Sequence, residues 1–205
     1  MITTRIVNSN GKEIHIDENG SPIVTSNTHP PSDPSITLLP YRDYFKNNAG
    51  SIEMNVNGSI NNIDFLVNAS DSLRSIKSIF VSIVDANASL GQFGNIGILT
   101  NGIEFKWVSS DFGEVVISNS LKTNFDFIAL AGGQPAYGAG QNAFISSNVV
   151  GTEEAIIAFV DFTSLFGLQY GIPLRPNTND RLIFTIKDNL SAVTQFRIIA
   201  YGSEF

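Results

Sequence analysis

The chain has 205 residues, a net charge of -7, no cysteine, 42% hydrophobic residues and only 15% charged residues. This length allows one sizeable domain, or a domain with an arm. The acidic balance argues against a nucleic-acid binder with a basic stripe and against a polybasic membrane-surface protein. The lack of cysteine excludes a disulfide framework and a thiolate zinc site.

Charged residues usually make up about a quarter of a domain. A lower fraction indicates either a surface that packs against neighbours or an ordinary β-protein surface that is polar without being charged. The first residues lack the apolar run of a signal peptide, and no segment reaches the length of a membrane span, so we expect neither feature.

Residues 1–48 are predicted to form an N-terminal region with two parts. The first is a meander of three short strands around 3–7, 12–16 and 22–26, because Asn-Gly turns separate the apolar segments. The second, residues 29–48, contains four of the eight prolines. Since proline fixes φ, we expect an extended arm there that lies along a surface, its own or a neighbour's.

Apolar side chains in the arm make it a candidate interface, because a flexible linker does not require them. A glycine-rich loop at 131–142 carries an aromatic residue that is a further candidate contact. The candidate interface residues are Leu38, Leu39, Tyr41, Tyr44, Phe45 and Tyr137. The alternatives are an arm that closes one end of its own domain and a plain flexible loop.

Residues 49–205 are predicted to form an all-β, two-sheet antiparallel sandwich, most simply a jelly roll. Eight or nine segments have a period of two and are separated by turn signals, and no long segment has helical periodicity. An immunoglobulin-like sandwich and a closed barrel are the alternative architectures. The predicted strands are 51–56, 63–68, 72–86, 103–107, 114–118, 124–131, 155–160, 181–187 and 195–201. Asp161 is placed to cap a single helical turn that ends at Gly167.

The end of the chain, residues 180–202, has the clearest pattern. Leu182, Phe184 and Ile186 share one face of a strand, and Phe196, Ile198 and Ala200 share one face of another beyond the turn residues Asp188-Asn189. The opposite faces are polar except for Ile183 and Ile199. We expect an antiparallel pair of strands whose apolar face packs on a second sheet built by earlier segments.

No catalytic or metal-binding motif is evident. His15 and His29 lie outside the predicted sandwich, and their spacing matches no metal site. Glu104, Glu114 and Asp126 lie on predicted strands, where two acids at a suitable distance could act as a glycosidase pair, but outward positions on a half-solvated sheet explain them more simply. We therefore predict a protein that is not an enzyme, with no cofactor and no metal.

Four segments resemble those of virion structural proteins of tailed bacteriophages: residues 29–45, NFDFIALAGG, VDFTSLFG and TNDRLIFTIKDNLSAVTQFRIIAYG. The resemblance covers most of the chain but includes no catalytic signature. It implies a jelly roll that is assembled in the host cytoplasm and located in the virion. The implied partners are copies of itself and other virion proteins in the capsid, neck or tail, or in a decoration or fibre. The alternative is a lectin-like module on the same fold that binds a carbohydrate or receptor, with a host surface glycan as its partner.

Overall fold

The computed structural model describes residues 4–7, 13–16, 22–23, 39–69, 71–86, 89–131, 143–147, 153–163, 168 and 170–205. The chain separates into two units, Met1–Thr37 and Leu38–Phe205. In the first unit, β1 (Thr4–Val7), β2 (Glu13–Ile16) and β3 (Pro22–Ile23) form an antiparallel sheet in the order β1-β2-β3. The predicted meander is confirmed. Its two Asn-Gly turns and His29 lie outside the described residues.

The second unit consists of ten described strands and one described helix. They are β4 (Leu39–Tyr44), β5 (Ile63–Asn68), β6 (Arg74–Ala86), β7 (Ile103–Ser109), β8 (Gly113–Leu121), α1 (Asn124–Leu130), β9 (Ala143–Ser147), β10 (Glu153–Asp161), β11 (Ile172–Leu174), β12 (Arg181–Ile186) and β13 (Gln195–Glu204). The larger sheet has the order β4-β13-β6-β10-β9, with β11 also paired to β6, and the smaller sheet has the order β5-β12-β7-β8. All pairs are antiparallel, and the predicted two-sheet sandwich is confirmed.

The core between the two sheets is rich in phenylalanine. In the smaller sheet, Phe184 of β12 lies opposite Phe65 on one neighbouring strand and Phe105 on the other. The Phe184 and Phe105 rings stack at 4.0 Å, and the Phe45 ring meets Phe184 edge-on at 5.0 Å. All four side chains are fully buried. The period of two in these segments therefore identified the inward faces correctly.

The two terminal strands do not pair with each other, and that prediction is wrong. β12 pairs with β5 and β7, whereas β13 pairs with β4 and β6. The connection between them crosses from one sheet to the other, and it buries Leu190 and Val193. Phe184 and Phe196 therefore belong to different sheets, although both are buried in the shared core as predicted.

Residues 124–131 were predicted as a strand, but 124–130 form α1. The reason is a capping box that an alternating pattern does not detect: Thr123 Oγ1 accepts from the amide of Asp126, and Asp126 Oδ2 accepts from the amide of Thr123. Phe127 and Ile128 are buried, while Phe125 is 40% exposed. In a strand Phe125 and Phe127 would lie on the same face, whereas the helix buries only Phe127.

One further segment differs from the prediction, and another agrees with it. Residues 51–56 are not a regular strand. They are held instead by a hydrogen bond from the amide of Met54 to the carbonyl oxygen of Phe196. Asp161 does cap a helical turn, since its Oδ1 accepts from the amide and the hydroxyl of Thr163 at 2.9 and 2.6 Å. The predicted end of that turn at Gly167 lies outside the described residues.

The predicted boundary at residue 48/49 also needs correction, because the sandwich unit begins at Leu38. Residues 39–44 of the supposed arm are β4, an edge strand that pairs with β13. Pro40 is compatible with this strand because an edge position does not require its missing N–H. Pro30, Pro31 and Pro34 lie outside the described residues.

Candidate interaction surface

The candidate interface residues do not form one surface. Leu39 is 55% exposed and Tyr44 is half-buried, but Phe45 is fully buried and Tyr41 is 7% exposed. Phe45 and Tyr41 belong to the core of their own sandwich, so their assignment to an intermolecular interface is corrected. The hydrophobic character that suggested a docking arm reflects the inward face of an edge strand. Leu38 and Tyr137 lie outside the described residues.

The acids considered for catalysis make local contacts. Glu104 and Glu114 on the smaller sheet both pair with Lys106, at 3.1 and 3.2 Å, and Glu104 also pairs with Lys187. The hydrogen bond from Lys187 is the main cause that lowers the pKa of Glu104, and burial opposes it. A carboxyl group with a lowered pKa is ionised at neutral pH and is a poor general acid. Asp126 caps α1, as described above.

Asp180 is the centre of a buried network that the sequence did not reveal. Its side chain is 0% exposed, and it accepts hydrogen bonds from the amide and hydroxyl of Ser110 at 2.7 and 2.6 Å. Arg175 donates to it from the backbone amide and from Nε, and also donates to Asp111. Burial would raise the pKa of Asp180, but together these hydrogen bonds outweigh it and hold the pKa below its usual range. The network ties the β7–β8 turn to the segment before β12.

Asp188 has a similar structural role at the other end of β12. It accepts from three consecutive backbone amides, those of Thr100, Asn101 and Gly102, with the shortest distance of 2.7 Å to Gly102. Sequence reasoning identified Asp188 as a turn residue but could not identify the distant loop that it binds. Within the described ranges, no group of three or more His, Asp or Glu residues is arranged to hold a metal ion.

The outward face of the larger sheet carries an unusual row of apolar residues. In register across four strands lie Tyr44 on β4, Ile199 on β13, Phe80 on β6 and Phe159 on β10. Outward positions on a sandwich are normally polar. Here Phe159 is 39% exposed and Tyr44 and Phe80 are half-buried, whereas Ile199 between them is only 7% exposed. We call these four residues the outer apolar row.

Positions that are polar or charged, apart from Ile157, lie on both sides of the outer apolar row. On one side of the row, each strand has its next outward residue two positions away from its member of the row. The register places these four residues side by side: Arg42, Tyr201, Ser78 and Asp161. The guanidinium of Arg42 lies 5.7 Å from the centre of the Tyr201 ring. On the other side lie Arg197, Ser82 and Ile157, and Arg197 Nε donates to Glu53 Oε1 at 2.7 Å. The apolar row with this rim has the composition of a protein-binding face.

A second, smaller aromatic site lies at the β7–β8 turn. Phe112 is 71% exposed, and its ring lies 5.8 Å from that of Trp107. Trp107 is half-buried and packs against the core, and its indole Nε1 is buried with no hydrogen-bond partner among the described residues. The Asp111 carboxylate, paired with Arg175, belongs to the same turn. An exposed ring beside polar side chains has the chemistry of a small sugar-stacking site.

In the part of the chain that the structure describes, no helix is both long and apolar enough to cross a bilayer. A scan of protein-family models, a search of curated proteins and a search of solved structures each found no match to this chain.

Proposed function

We propose that this protein is a non-enzymatic structural protein of a bacteriophage virion that acts through contacts with copies of itself and with other virion proteins. The observation that carries the proposal is the outer apolar row, which exposes aromatic side chains on the face of a sheet. Contact of these apolar side chains with water is unfavourable, and binding to another protein surface would remove them from water. The low charged fraction of 15% is in keeping with a surface that is largely in contact with neighbours.

The strand order supports a jelly roll as the finer description of the fold. If eight strands are taken in chain order (β4, β5, β6, β7, β8, β10, β12 and β13), the first pairs with the eighth, the second with the seventh, the third with the sixth and the fourth with the fifth. This is the pairing of one long hairpin that is wrapped into two sheets, as in the jelly rolls of viral capsid proteins. Because one fold serves many functions, the topology alone does not identify the role.

The virion assignment has separate support from the resemblance of four segments to virion proteins of tailed phages. All four segments include structural elements described above: residues 29–45 include β4, 124–133 include α1, 160–167 include the end of β10, and 178–202 include β12 and most of β13. The assignment places the protein in the capsid, neck or tail, or in a decoration or fibre, after synthesis in the host cytoplasm.

Two measurements test the proposal. The purified chain of 22.2 kDa should give a multiple of that mass by light scattering after size exclusion, over a range of concentrations. Its peptides should also be recovered by mass spectrometry from purified, nuclease-treated particles, in a constant ratio to a major structural protein. A chain that remains monomeric and does not co-purify with particles would contradict the proposal.

The second candidate function is binding of a host glycan or receptor, and the exposed Phe112 beside Trp107 favours it. A sugar ring that stacks on Phe112 would lose this contact when the aromatic ring is removed, so Phe112→Ala should abolish binding. A glycan array with the wild-type chain, repeated with Phe112→Ala, tests this function. An array that is blank for the wild type, or a signal that Phe112→Ala leaves unchanged, would remove Phe112 as a sugar-binding residue.

A further inference from the structure

We infer that the outward face of the larger sheet binds the same face of a second copy of this chain, about a two-fold axis parallel to β6 and β13. The inference rests on the proposed function, because it names the surface through which the proposed homo-oligomer forms. Two-fold dimers are the commonest homo-oligomers, and their interface must be complementary to itself. The charges and the apolar residues of this face satisfy that condition.

The outer apolar row of one copy meets the outer apolar row of the second copy. The four strands lie in the order β4-β13-β6-β10. Rotation about an axis parallel to the strands, placed between β13 and β6, brings β4 over β10 of the second copy and β13 over β6. Tyr44 then meets Phe159 of the second copy, and Ile199 meets Phe80. Each residue of the outer apolar row therefore has a partner from the same row, as in sheets that stack about 10 Å apart.

The charges select this axis. Arg42 and Asp161 occupy the two ends of the row Arg42, Tyr201, Ser78 and Asp161. They are three strands apart, or about 14 Å at the usual strand spacing. The same rotation exchanges the ends of the row, so each Arg42 faces Asp161 of the second copy, and the dimer contains this pair twice. An axis perpendicular to the strands would instead place Asp161 over Ile157, a charge opposite an apolar side chain.

The first test uses Phe159→Asp, which introduces a charge into the outer apolar row. Phe159 is 39% exposed, so the monomer should tolerate the change. The matched control is Val116→Asp, on the outward side of β8 in the other sheet, where Val116 is 51% exposed. In sedimentation equilibrium, Phe159→Asp should raise the dimer dissociation constant at least tenfold, because the aromatic contact that it removes occurs twice in the dimer. Val116→Asp should leave this constant unchanged.

The second test exchanges the charges. Arg42→Glu alone and Asp161→Lys alone each place like charges opposite one another twice, so each variant should be more monomeric than the wild type. An equimolar mixture should associate again, because a heterodimer has one native Arg42–Asp161 pair and one reversed pair. Since Asp161 caps a helical turn, circular dichroism of each variant must first show a folded chain, and Asp161→Asn serves as a second variant that removes the charge with a smaller change.

The outcomes separate the two proposals. A wild-type chain that is monomeric at every concentration overturns both this dimer and the proposed homo-oligomer. A wild-type oligomer that Phe159→Asp leaves intact overturns only this face. A mixture of the two charge variants that does not associate, although Phe159→Asp dissociates the wild type, overturns the axis.

Discussion

Truncation of Phe184 to alanine tests the account of the core most directly. The Phe184 side chain is fully buried, stacks on Phe105 at 4.0 Å and meets Phe45 edge-on at 5.0 Å. Removing a buried phenylalanine side chain typically costs about 3–5 kcal/mol. Because two aromatic contacts are lost with it, each worth about 0.5–1.5 kcal/mol beyond burial, we expect the upper part of that range, about 4–5 kcal/mol.

Urea denaturation followed by circular dichroism measures this loss as a lower transition midpoint at unchanged slope. For a unit of this size the same loss lowers Tm by about 8–20 °C. The control is Phe112→Ala, because Phe112 is 71% exposed and contacts only Trp107 among the ring pairs of the described residues. The control should lose about 1 kcal/mol or less. If the two variants lose equal stability, the assignment of Phe184 to the centre of the sandwich is wrong.

Two further predictions concern polar burial and backbone geometry. Asp180→Asn should lower the free energy of unfolding by about 2 kcal/mol near neutral pH, because Asp180 accepts charge-assisted hydrogen bonds from Arg175. The pKa of Asp180 is lowered in the folded chain, so the carboxylate stabilises the fold at pH values above the pKa of about 4 that it has in the unfolded chain. The difference in free energy of unfolding between Asp180→Asn and the wild type, measured by urea denaturation, should therefore shrink as the pH falls below about 4. Gly171→Ala should destabilise the chain more than Gly50→Ala. Both glycines have φ of 81°, so the backbone strain of an alanine is the same at the two positions. Only at Gly171 would the new methyl group also clash with a backbone atom, the carbonyl oxygen of Ile76. If the two variants lose the same amount of stability in thermal unfolding, backbone strain alone determines the destabilisation and the contact with Ile76 does not contribute.

The sequence was informative wherever a strand has one apolar face. Ile79, Val81 and Ile83 of β6 alternate in the sequence, and all three are fully buried. Alternation is a local property of a strand, so it predicts which side chains point inward. It does not predict which strand is the neighbour, and this is why β12 and β13 were wrongly paired with each other.

Helix α1 shows a different limit of the sequence pattern. Phe125 and Phe127 are two positions apart, which matches a strand, and the segment is too short for helical periodicity to be recognised. The deciding interaction is the capping box between Thr123 and Asp126. The Thr-x-x-Asp spacing was visible in the sequence, and it was the signal that could have identified the helix.

The outer apolar row could not be predicted, because its members come from four distant parts of the chain. Tyr44, Phe80, Phe159 and Ile199 become neighbours only when the register of β4, β6, β10 and β13 is known. One local signal was present: residues 155–160 form a continuous apolar run, which indicates a strand that is apolar on both faces. The run predicted an unusual strand but not the row to which it contributes.

The position of the unit boundary leads to a prediction that compares two deletions. The unit Leu38–Phe205 contains β4 to β13, and β1 to β3 form a sheet of their own. Deletion of residues 1–37 removes no strand of the sandwich and should therefore leave a folded sandwich. Deletion of residues 1–48 removes an edge strand and also removes Tyr41 and Phe45 from the core.

Loss of the Phe45 side chain alone typically costs about 3–5 kcal/mol, and the exposed edge of β13 adds to this, against a total stability of about 5–15 kcal/mol. The longer deletion should therefore give a chain that is largely unfolded by circular dichroism or insoluble. Expression of both shortened chains side by side, with thermal melts of the soluble fractions, compares them directly. If the shorter deletion also unfolds, or if the longer one melts like the full chain, the boundary at Leu38 is wrong.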